Sequence, residues 1–461
     1  MHRRFRITGG LTPEDLQLIL DDAHRLLDEV GLEVDHPELL KELAARDGVT
    51  VRGNRVCYAP ELVEEARAQV PEEDTNYACS KPGDDVFRVV PPFSPFDVID
   101  LDTGEKRPAA ERDVIEGARL YDAFDITGPP HVHLPKMDQK VAQVHVAKLC
   151  AENSRGVGNW SAAYNYEQAA CIRDMYLAAG REREPAVALQ AEHSPLRLDA
   201  YFLDIVMRLR DSENGTRGVT IGGGAMPLPG VSAPIHWRAA AAQGLAECLG
   251  GWITAKLIDP AIRPYASLLI WAPDLATCRW SLEVPESKFF TLLNQQVMRE
   301  LLGLAIYAPC VDLDAMVLSA LDGTRVFEGA GTSDECFSAT HVPIDVEKLG
   351  FVETVARGVD TSGEPGLASR IVRETLPETT FLAHESTLDY RSLYWQPRVF
   401  AGTSAEVGRK LHGDGHELLA EAREIARGKI ASNAFALADD VRREVDKVYR
   451  RGVAAIMALP G

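Results

Sequence analysis

From about residue 109 onward, short apolar runs rich in β-forming residues alternate with amphipathic helical stretches. This alternation is typical of parallel strands that are joined by crossover helices. Eight parallel strands are the number that closes an α/β barrel. The eight runs are residues 126–132, 156–162, 186–192, 218–224, 265–272, 304–309, 324–331 and 380–386. The pattern therefore predicts an eight-stranded (β/α)8 TIM-type barrel.

Both ends of the chain lie outside this alternation. Residues 12–30 place their apolar side chains on one helical face, and Thr12 suits the N-cap of that helix. Gly53 and Asn54 lie between two β-rich runs and predict a hairpin. The chain after the last run is charged and has a helical pattern. We therefore predict three regions. Residues 1–108 form a helical N-terminal extension with a β-hairpin, residues 109–400 form the barrel, and residues 401–461 form a C-terminal helical tail packed on the barrel.

The charge balance constrains the partners. The chain has 49 Lys and Arg against 69 Asp and Glu, a formal net charge of −20. Binding to nucleic acid or to an anionic membrane needs clustered positive charge, so neither is expected, whereas a small cationic ligand fits. No apolar run approaches the roughly 20 residues of a membrane helix, and MHRRFRITGG leads into no signal-peptide core. The eight cysteines form no C-x-x-C pair. We expect a cytoplasmic enzyme.

Barrel enzymes carry their chemistry at the carboxyl ends of the strands and in the loops that follow. These positions are rich in aromatic, acidic and histidine side chains. Aromatic faces attract a quaternary or protonated amine, and a carboxylate can supply the counter-charge. The expected catalytic residues are Glu192, Asp312, Glu328 and His384, and the expected substrate-binding residues are His131, His133, Trp160, His193, Trp271, Tyr307 and Tyr394.

A metal site is the main alternative use of these residues. His131 and His133 are two positions apart on a predicted strand, so both point to the same side, as a divalent metal would require. The remaining candidate ligands, His193, Cys310 and His384, show no recognisable ligand spacing. We therefore expect hydrogen-bonded pocket histidines and no metal, and a metal-dependent barrel hydrolase stays as the alternative.

Several segments, in the same order along the chain, resemble the trimethylamine methyltransferase superfamily of corrinoid-dependent methyltransferases. They are residues 26–66, 97–124, 194–200, 225–247 and 380–400. The resemblance implies a barrel fold and an enzyme of the same type. Members take a methyl group from a methylamine or a quaternary amine and pass it to Co(I) of a separate corrinoid protein.

Two further features refine what the resemblance implies. The trimethylamine enzymes proper carry pyrrolysine, whereas this chain contains only the standard twenty residues, which favours a quaternary, betaine-like donor. The corrinoid-binding partner is marked by D-x-H-x-x-G, and the nearest match here, at Asp414 and His416, has Leu419 in place of the glycine. The cobalamin is therefore expected from a partner corrinoid protein, with no cofactor bound in the chain itself. A homo-oligomer stays open.

One segment departs from the family pattern. Between the sixth and seventh runs the chain has only CVDLDAMVLSALDG, residues 310–323, which is shorter than the family segment. Asp312 is therefore a candidate only because it follows a predicted strand. A non-catalytic homologue that binds quaternary amines is the second alternative.

Overall fold

The computed structural model describes residues 2–74, 79–92, 95–157, 163–182, 185–282, 284–310, 312–333, 335–376, 380–390, 394–401, 406 and 416–459. Among them the helices are α1 (Pro13–Arg25), α2 (Pro37–Ala44), α3 (Pro60–Glu73), α4 (Glu111–Ala123), α5 (Gln139–Asn153), α6 (Tyr166–Ala178), α7 (Ala200–Arg210), α8 (Trp237–Ile258), α9 (Pro285–Leu302), α10 (Leu313–Asp322), α11 (His341–Arg357), α12 (Leu367–Thr375), α13 (Glu385–Tyr390), α14 (His416–Ser432) and α15 (Asp439–Met457). A π-helical turn, Leu26–Val30, continues α1.

The strands are short, and most belong to small sheets. They are β1 (His2–Arg3), β2 (Leu32–Val34), β3 (Val49–Arg52), β4 (Arg55–Tyr58), β5 (Arg88–Val90), β6 (Asp97–Ile99), β7 (Lys106–Pro108), β8 (Val187–Gln190), β9 (Glu192–His193), β10 (Arg197–Leu198), β11 (Val219–Ala225), β12 (Tyr265–Leu268), β13 (Pro273–Asp274), β14 (Arg279–Trp280), β15 (Ala308–Pro309), β16 (Val326–Glu328), β17 (Thr332–Ser333), β18 (Cys336–Ser338) and β19 (Val359–Asp360).

The N-terminal region forms as its local sequence predicts. Helix α1 begins with a capping box, in which the Thr12 hydroxyl accepts from the Asp15 N–H at 3.1 Å and the Asp15 carboxylate accepts from the Thr12 N–H at 3.0 Å. The hairpin is antiparallel β3–β4, and Gly53 in its turn has a φ of 69°, which glycine adopts without strain. Both local predictions are confirmed.

The first parallel sheet has the strand order β12-β11-β8. Residues paired in register point to the same face, so Gln190, Gly222 and Tyr265 share one face of this sheet. Helix α8 packs against β11 and β12. The carboxyl ends of all three strands therefore meet at one edge.

The second parallel sheet has the order β15-β16-β5. Its two faces contact different apolar clusters, because side chains alternate along each strand. Val90 and Val326 belong to the large cluster that also holds the strands of the first sheet. Val89 and Phe327 belong to a second cluster, which helices α4 and α11 complete. The face that carries Val326 therefore turns toward the larger core, and so does the last residue of β16, Glu328.

The other described strands form the sheets β3-β4-β2-β10-β9 and β17-β18-β6-β7 and two two-stranded pairs, and the described strands do not form a closed eight-stranded barrel. Five of the eight predicted runs contain a strand: β8, β11, β12, β15 and β16. Run 156–162 lies largely outside the described residues. Strand β5 was not among the predicted runs, although it pairs with β16.

Two predicted strands are wrong. Residues 126–132 form bends and irregular backbone, because Pro129 and Pro130 lack the N–H that a strand ladder needs. Residues 380–386 form a turn that leads into α13. There the His384 ring nitrogen Nδ1 accepts from the Ser386 N–H at 3.2 Å, so a local contact replaces strand pairing.

The C-terminal helices pack on helices of the preceding region. Helix α14 contacts α4 and α11, and α15 contacts α5 and α6. The α15 contact includes an ion pair of 3.1 Å between Lys148 and Asp446 and a hydrogen bond of 3.0 Å between His145 and the Tyr449 hydroxyl. Among the described helices, none has the length and apolar character that crossing a bilayer requires.

Candidate functional site

A buried carboxyl group lies at the carboxyl end of the second parallel sheet. Glu328 is the last residue of β16, and its side chain hydrogen-bonds with that of Tyr307, just before β15. Burial raises the pKa of Glu328 to about 8, and the Tyr307 hydrogen bond offsets part of that rise. Within the described part of the chain, Oε1 of Glu328 is buried without a hydrogen-bond partner. The group is therefore mostly neutral at pH 7 and can still accept a hydrogen bond or face a cation.

A pocket lies between α9 and α10, and neither Glu328 nor Tyr307 is among the residues that line it. We call it the strand-end pocket, because it lies at the carboxyl ends of β12 and β15. Its walls include Trp271, Leu282, Lys288, Pro309, Asp312 and Leu318. Pro309 is paired in register with Glu328, so the pocket and the Tyr307–Glu328 pair are neighbours.

The strand-end pocket contains one pair of opposite charges. Lys288, in the first turn of α9, forms an ion pair with Asp312, which precedes α10. The two side chains are 24% and 31% exposed, so both can be reached from solvent. Among the described residues that line the pocket, these two carry its only formal charges.

One indole ring, that of Trp271, lines the pocket, and a second indole ring packs against it. Trp271 is 9% exposed, and its ring lies 5.4 Å from that of Trp280 at an interplanar angle of 72°. This edge-to-face contact fixes the orientation of the Trp271 ring. An indole face next to a carboxylate is the combination that attracts a quaternary ammonium group.

Glu192 lies in a different place, at the end of the first parallel sheet. Its carboxylate packs against α8 at Gly251, where an added Cβ would stand 1.7 Å from Oε1. Burial raises the pKa of Glu192 well above its usual value, and the neighbouring Glu247 raises it further. Glu247 itself accepts hydrogen bonds from the Ser194 hydroxyl at 2.6 Å and the Leu196 N–H at 2.8 Å. This acidic pair supports the turn after β9, and it is separate from the strand-end pocket, whose lining includes neither residue.

His131 and His133 are both buried. Burial lowers the pKa of His131 to about 4 and also lowers that of His133, so both rings are neutral at pH 7. The His133 ring stacks on Phe96 with 4.2 Å between ring centres, and its Nδ1 contacts the Gln143 amide. Across the described residues, no group of three His, Cys, Asp or Glu side chains is arranged to hold a metal ion.

The remaining candidates lie away from the strand-end pocket. His193 is exposed and pairs with Asp199 at 3.4 Å. His384 contacts Glu374 at 3.1 Å in the turn before α13. Tyr394 is 73% exposed. Trp160 lies outside the described residues.

Comparison with known proteins identifies the family. The family model for trimethylamine methyltransferase (MTTB) matches residues 1–270, more than half of the chain. The chain belongs to the trimethylamine methyltransferase family. The glycine betaine methyltransferase of Desulfitobacterium hafniense (strain Y51) is 23% identical over 307 residues, which are 63% of this chain. The match spans 62% of that protein's own length.

Two solved structures are similar over most of the chain. The hydroxylamine complex of MtmB has a TM-score of 0.41 and 12% identity, and covers 92% of this chain and 94% of that one. The monomethylamine methyltransferase MtmB of Methanosarcina barkeri has a TM-score of 0.38 and 11% identity, with the same coverage of both chains.

In this member of the trimethylamine methyltransferase family, the structure places two candidates in one pocket and joins two others in a hydrogen-bonded pair. Trp271 and Asp312 line the strand-end pocket, and Tyr307 and Glu328 form the adjoining pair. Lys288 was not among the candidates, because these were chosen at the carboxyl ends of predicted strands and in the loops that follow. This lysine lies on a helix. One signal was present in the sequence: Lys288 is three residues after Pro285, in a first helical turn, where the helix dipole disfavours a cation.

Proposed function

We propose that this chain takes a methyl group from a quaternary amine of the betaine type and transfers it to Co(I) of a separate corrinoid protein. The observation that carries the proposal is the strand-end pocket, in which an indole ring and a carboxylate line one cavity in a member of this family. The relative named a glycine betaine methyltransferase supports the same class of donor.

In this proposal the donor's trimethylammonium group lies against Trp271, with Asp312 as its counter-charge. Cation–π contacts contribute roughly 0.5–2 kcal/mol each, and more where water is excluded. Glu328 does not line the pocket, although its backbone is adjacent to the pocket wall, because Pro309 in that wall pairs in register with it.

The methyl transfer itself needs no proton from the protein. The nucleophilic cobalt attacks the methyl carbon in line with the carbon–nitrogen bond. A carbon–cobalt bond forms while the carbon–nitrogen bond breaks, and nitrogen keeps the electron pair, so a neutral tertiary amine leaves. The chain's own residues therefore bind the cation, orient one methyl group outward, and exclude water. The corrinoid is a substrate carried by the partner, which must reach the pocket mouth.

We also propose that the two parallel sheets are arcs of one eight-stranded barrel, in which β5 is the first strand and β16 the last. The pairing of β5 with β16 supports this, since closing a barrel requires the first and last strands to be neighbours. The domain limits would then move, because β5 lies within residues 1–108. A crystal structure in which the two sheets remain separate and open would contradict the barrel.

The test is a methyl-transfer assay. The protein is incubated with a panel of betaines and methylamines and with its reduced corrinoid protein, and methyl-cobalt formation is followed by absorbance. We expect transfer from at least one quaternary donor and none from the tertiary amine that remains. Binding of a quaternary amine without transfer from any donor would favour the non-catalytic homologue instead.

A further inference from the structure

The strand-end pocket contains a positive charge that a site for a simple cation does not need. A simple quaternary cation is recognised by an aromatic ring and a negative charge, which Trp271 and Asp312 provide. The pocket also contains the ammonium group of Lys288, which would repel such a cation. A ligand that fits all three side chains carries a positive and a negative charge of its own.

The position of Lys288 has an electrostatic cost that its partner offsets. Its side chain lies in the first turn of α9, where the helix dipole favours acidic residues. The ion pair with Asp312 joins α9 to α10 across the pocket wall. Because both side chains are partly exposed, each can face a bound ligand while it keeps the contact with the other.

A zwitterion completes this arrangement with alternating charges. Its ammonium group would lie between the Trp271 ring and Asp312, and its carboxylate would face Lys288. A lysine ammonium has three N–H donors and can bind two carboxylates at once. The apolar walls at Leu282 and Leu318 enclose the small alkyl part that joins the two charges.

We propose that Lys288 is a specificity-determining residue that selects quaternary amines bearing a carboxylate over simple quaternary cations of similar size. This inference rests on the function proposed above. It adds a residue that lies outside the strand ends and loops from which the candidates were chosen. It also places the donor's carboxylate next to the Lys288 ammonium group.

The test compares glycine betaine with choline, which carries a neutral hydroxyl group in place of the carboxylate. Affinities for both are measured by calorimetry without corrinoid protein, in the wild type and in Lys288→Gln and Lys288→Arg. We expect the wild type to bind glycine betaine more tightly than choline. Lys288→Gln should weaken betaine binding by about tenfold to a hundredfold, as expected for the loss of a charge-assisted contact, and leave choline binding unchanged or stronger. Lys288→Arg, which keeps the charge, should restore most of the preference.

Lys447→Gln is the matched control, because Lys447 is 73% exposed on α15 and is not among the residues that line the pocket. Thermal unfolding of each variant establishes that it is folded. A betaine-to-choline preference that is the same in folded Lys288→Gln and in the wild type would overturn the inference and leave the proposed function intact. Binding that depends on Lys288, with no methyl transfer in the cobalt assay, would support the inference and contradict the proposed function. A wild type that binds neither compound would overturn both.

Discussion

The ionisation of Glu328 makes stability depend on pH in a way that one substitution isolates. Glu328→Gln replaces a carboxyl group by a neutral amide of nearly the same shape. The amide oxygen can still accept a hydrogen bond from Tyr307, so packing and local hydrogen bonding change little. What the substitution removes is the ability to ionise in a site that disfavours the charge.

The magnitude follows from the raised pKa of Glu328, about 8 in the folded protein against an ordinary value of 4.5. Below pH 4.5 the group is neutral in the folded and unfolded chains alike, and it does not change the balance between them. Between pH 4.5 and 8 the unfolded chain loses the proton and the folded chain keeps it, so the wild type loses about 1.4 kcal/mol of stability per pH unit. Across the whole interval from pH 4.5 to 8, the wild type loses at most about 5 kcal/mol of unfolding free energy.

The assay is urea unfolding of the wild type and Glu328→Gln from pH 5 to pH 9. We expect the free energies of unfolding to differ by less than about 1 kcal/mol near pH 5 and the variant to become more stable by several kcal/mol at pH 8 and above. Glu213→Gln, at an exposed position, is the control and should show no such trend. A difference between Glu328→Gln and the wild type that stays constant with pH would refute the reasoning.

Three further predictions concern other parts of the molecule. Trp271→Ala should raise the dissociation constant of a quaternary amine by about twofold to thirtyfold in calorimetry and Trp271→Phe by less, since phenylalanine keeps an aromatic face; equal effects would contradict a cation–π role. Burial holds the pKa of His131 near 4, so the wild type should lose about 3 kcal/mol of stability in urea titrations as the pH falls from 6.5 to 4, and His131→Gln should not. A Cβ at Gly222 would lie 2.2 Å from the Tyr265 carbonyl oxygen, so Gly222→Ala should lower the free energy of unfolding by about 1–3 kcal/mol or more, whereas Gly428→Ala, in open space on α14, should raise it by up to about 1 kcal/mol.

The parts of the fold that follow from local sequence were predictable, and those that depend on distant pairing were not. The run at 218–224 contains β11, because its β-branched residues and its length mark a strand without further context. Strand β5 has only three residues, Arg88–Val90, and it is defined by pairing with β16 far along the chain. The apolar residues at the start of run 380–386 predicted a strand. In the structure this segment is a turn, in which the Ser386 N–H donates to the His384 ring.

The candidate site divides in the same way. Trp271, Tyr307 and Glu328 were identified because the carboxyl ends of parallel strands meet at one edge. His384 and Tyr394 were selected by the same rule applied to a segment that is not a strand, and they lie away from the pocket. The sequence shows Lys288 as a lysine in a first helical turn, but its ion pair with Asp312 depends on how α9 packs and follows only from the structure.

Transfer of a labelled methyl group tests the central proposal most directly. The protein is mixed with its reduced corrinoid protein and with glycine betaine carrying ¹³C in its methyl groups, and the products are followed by NMR and mass spectrometry. We predict that one labelled methyl group appears on cobalt for each molecule of dimethylglycine formed. Labelled betaine that binds to the protein and keeps all of its methyl groups would contradict the account.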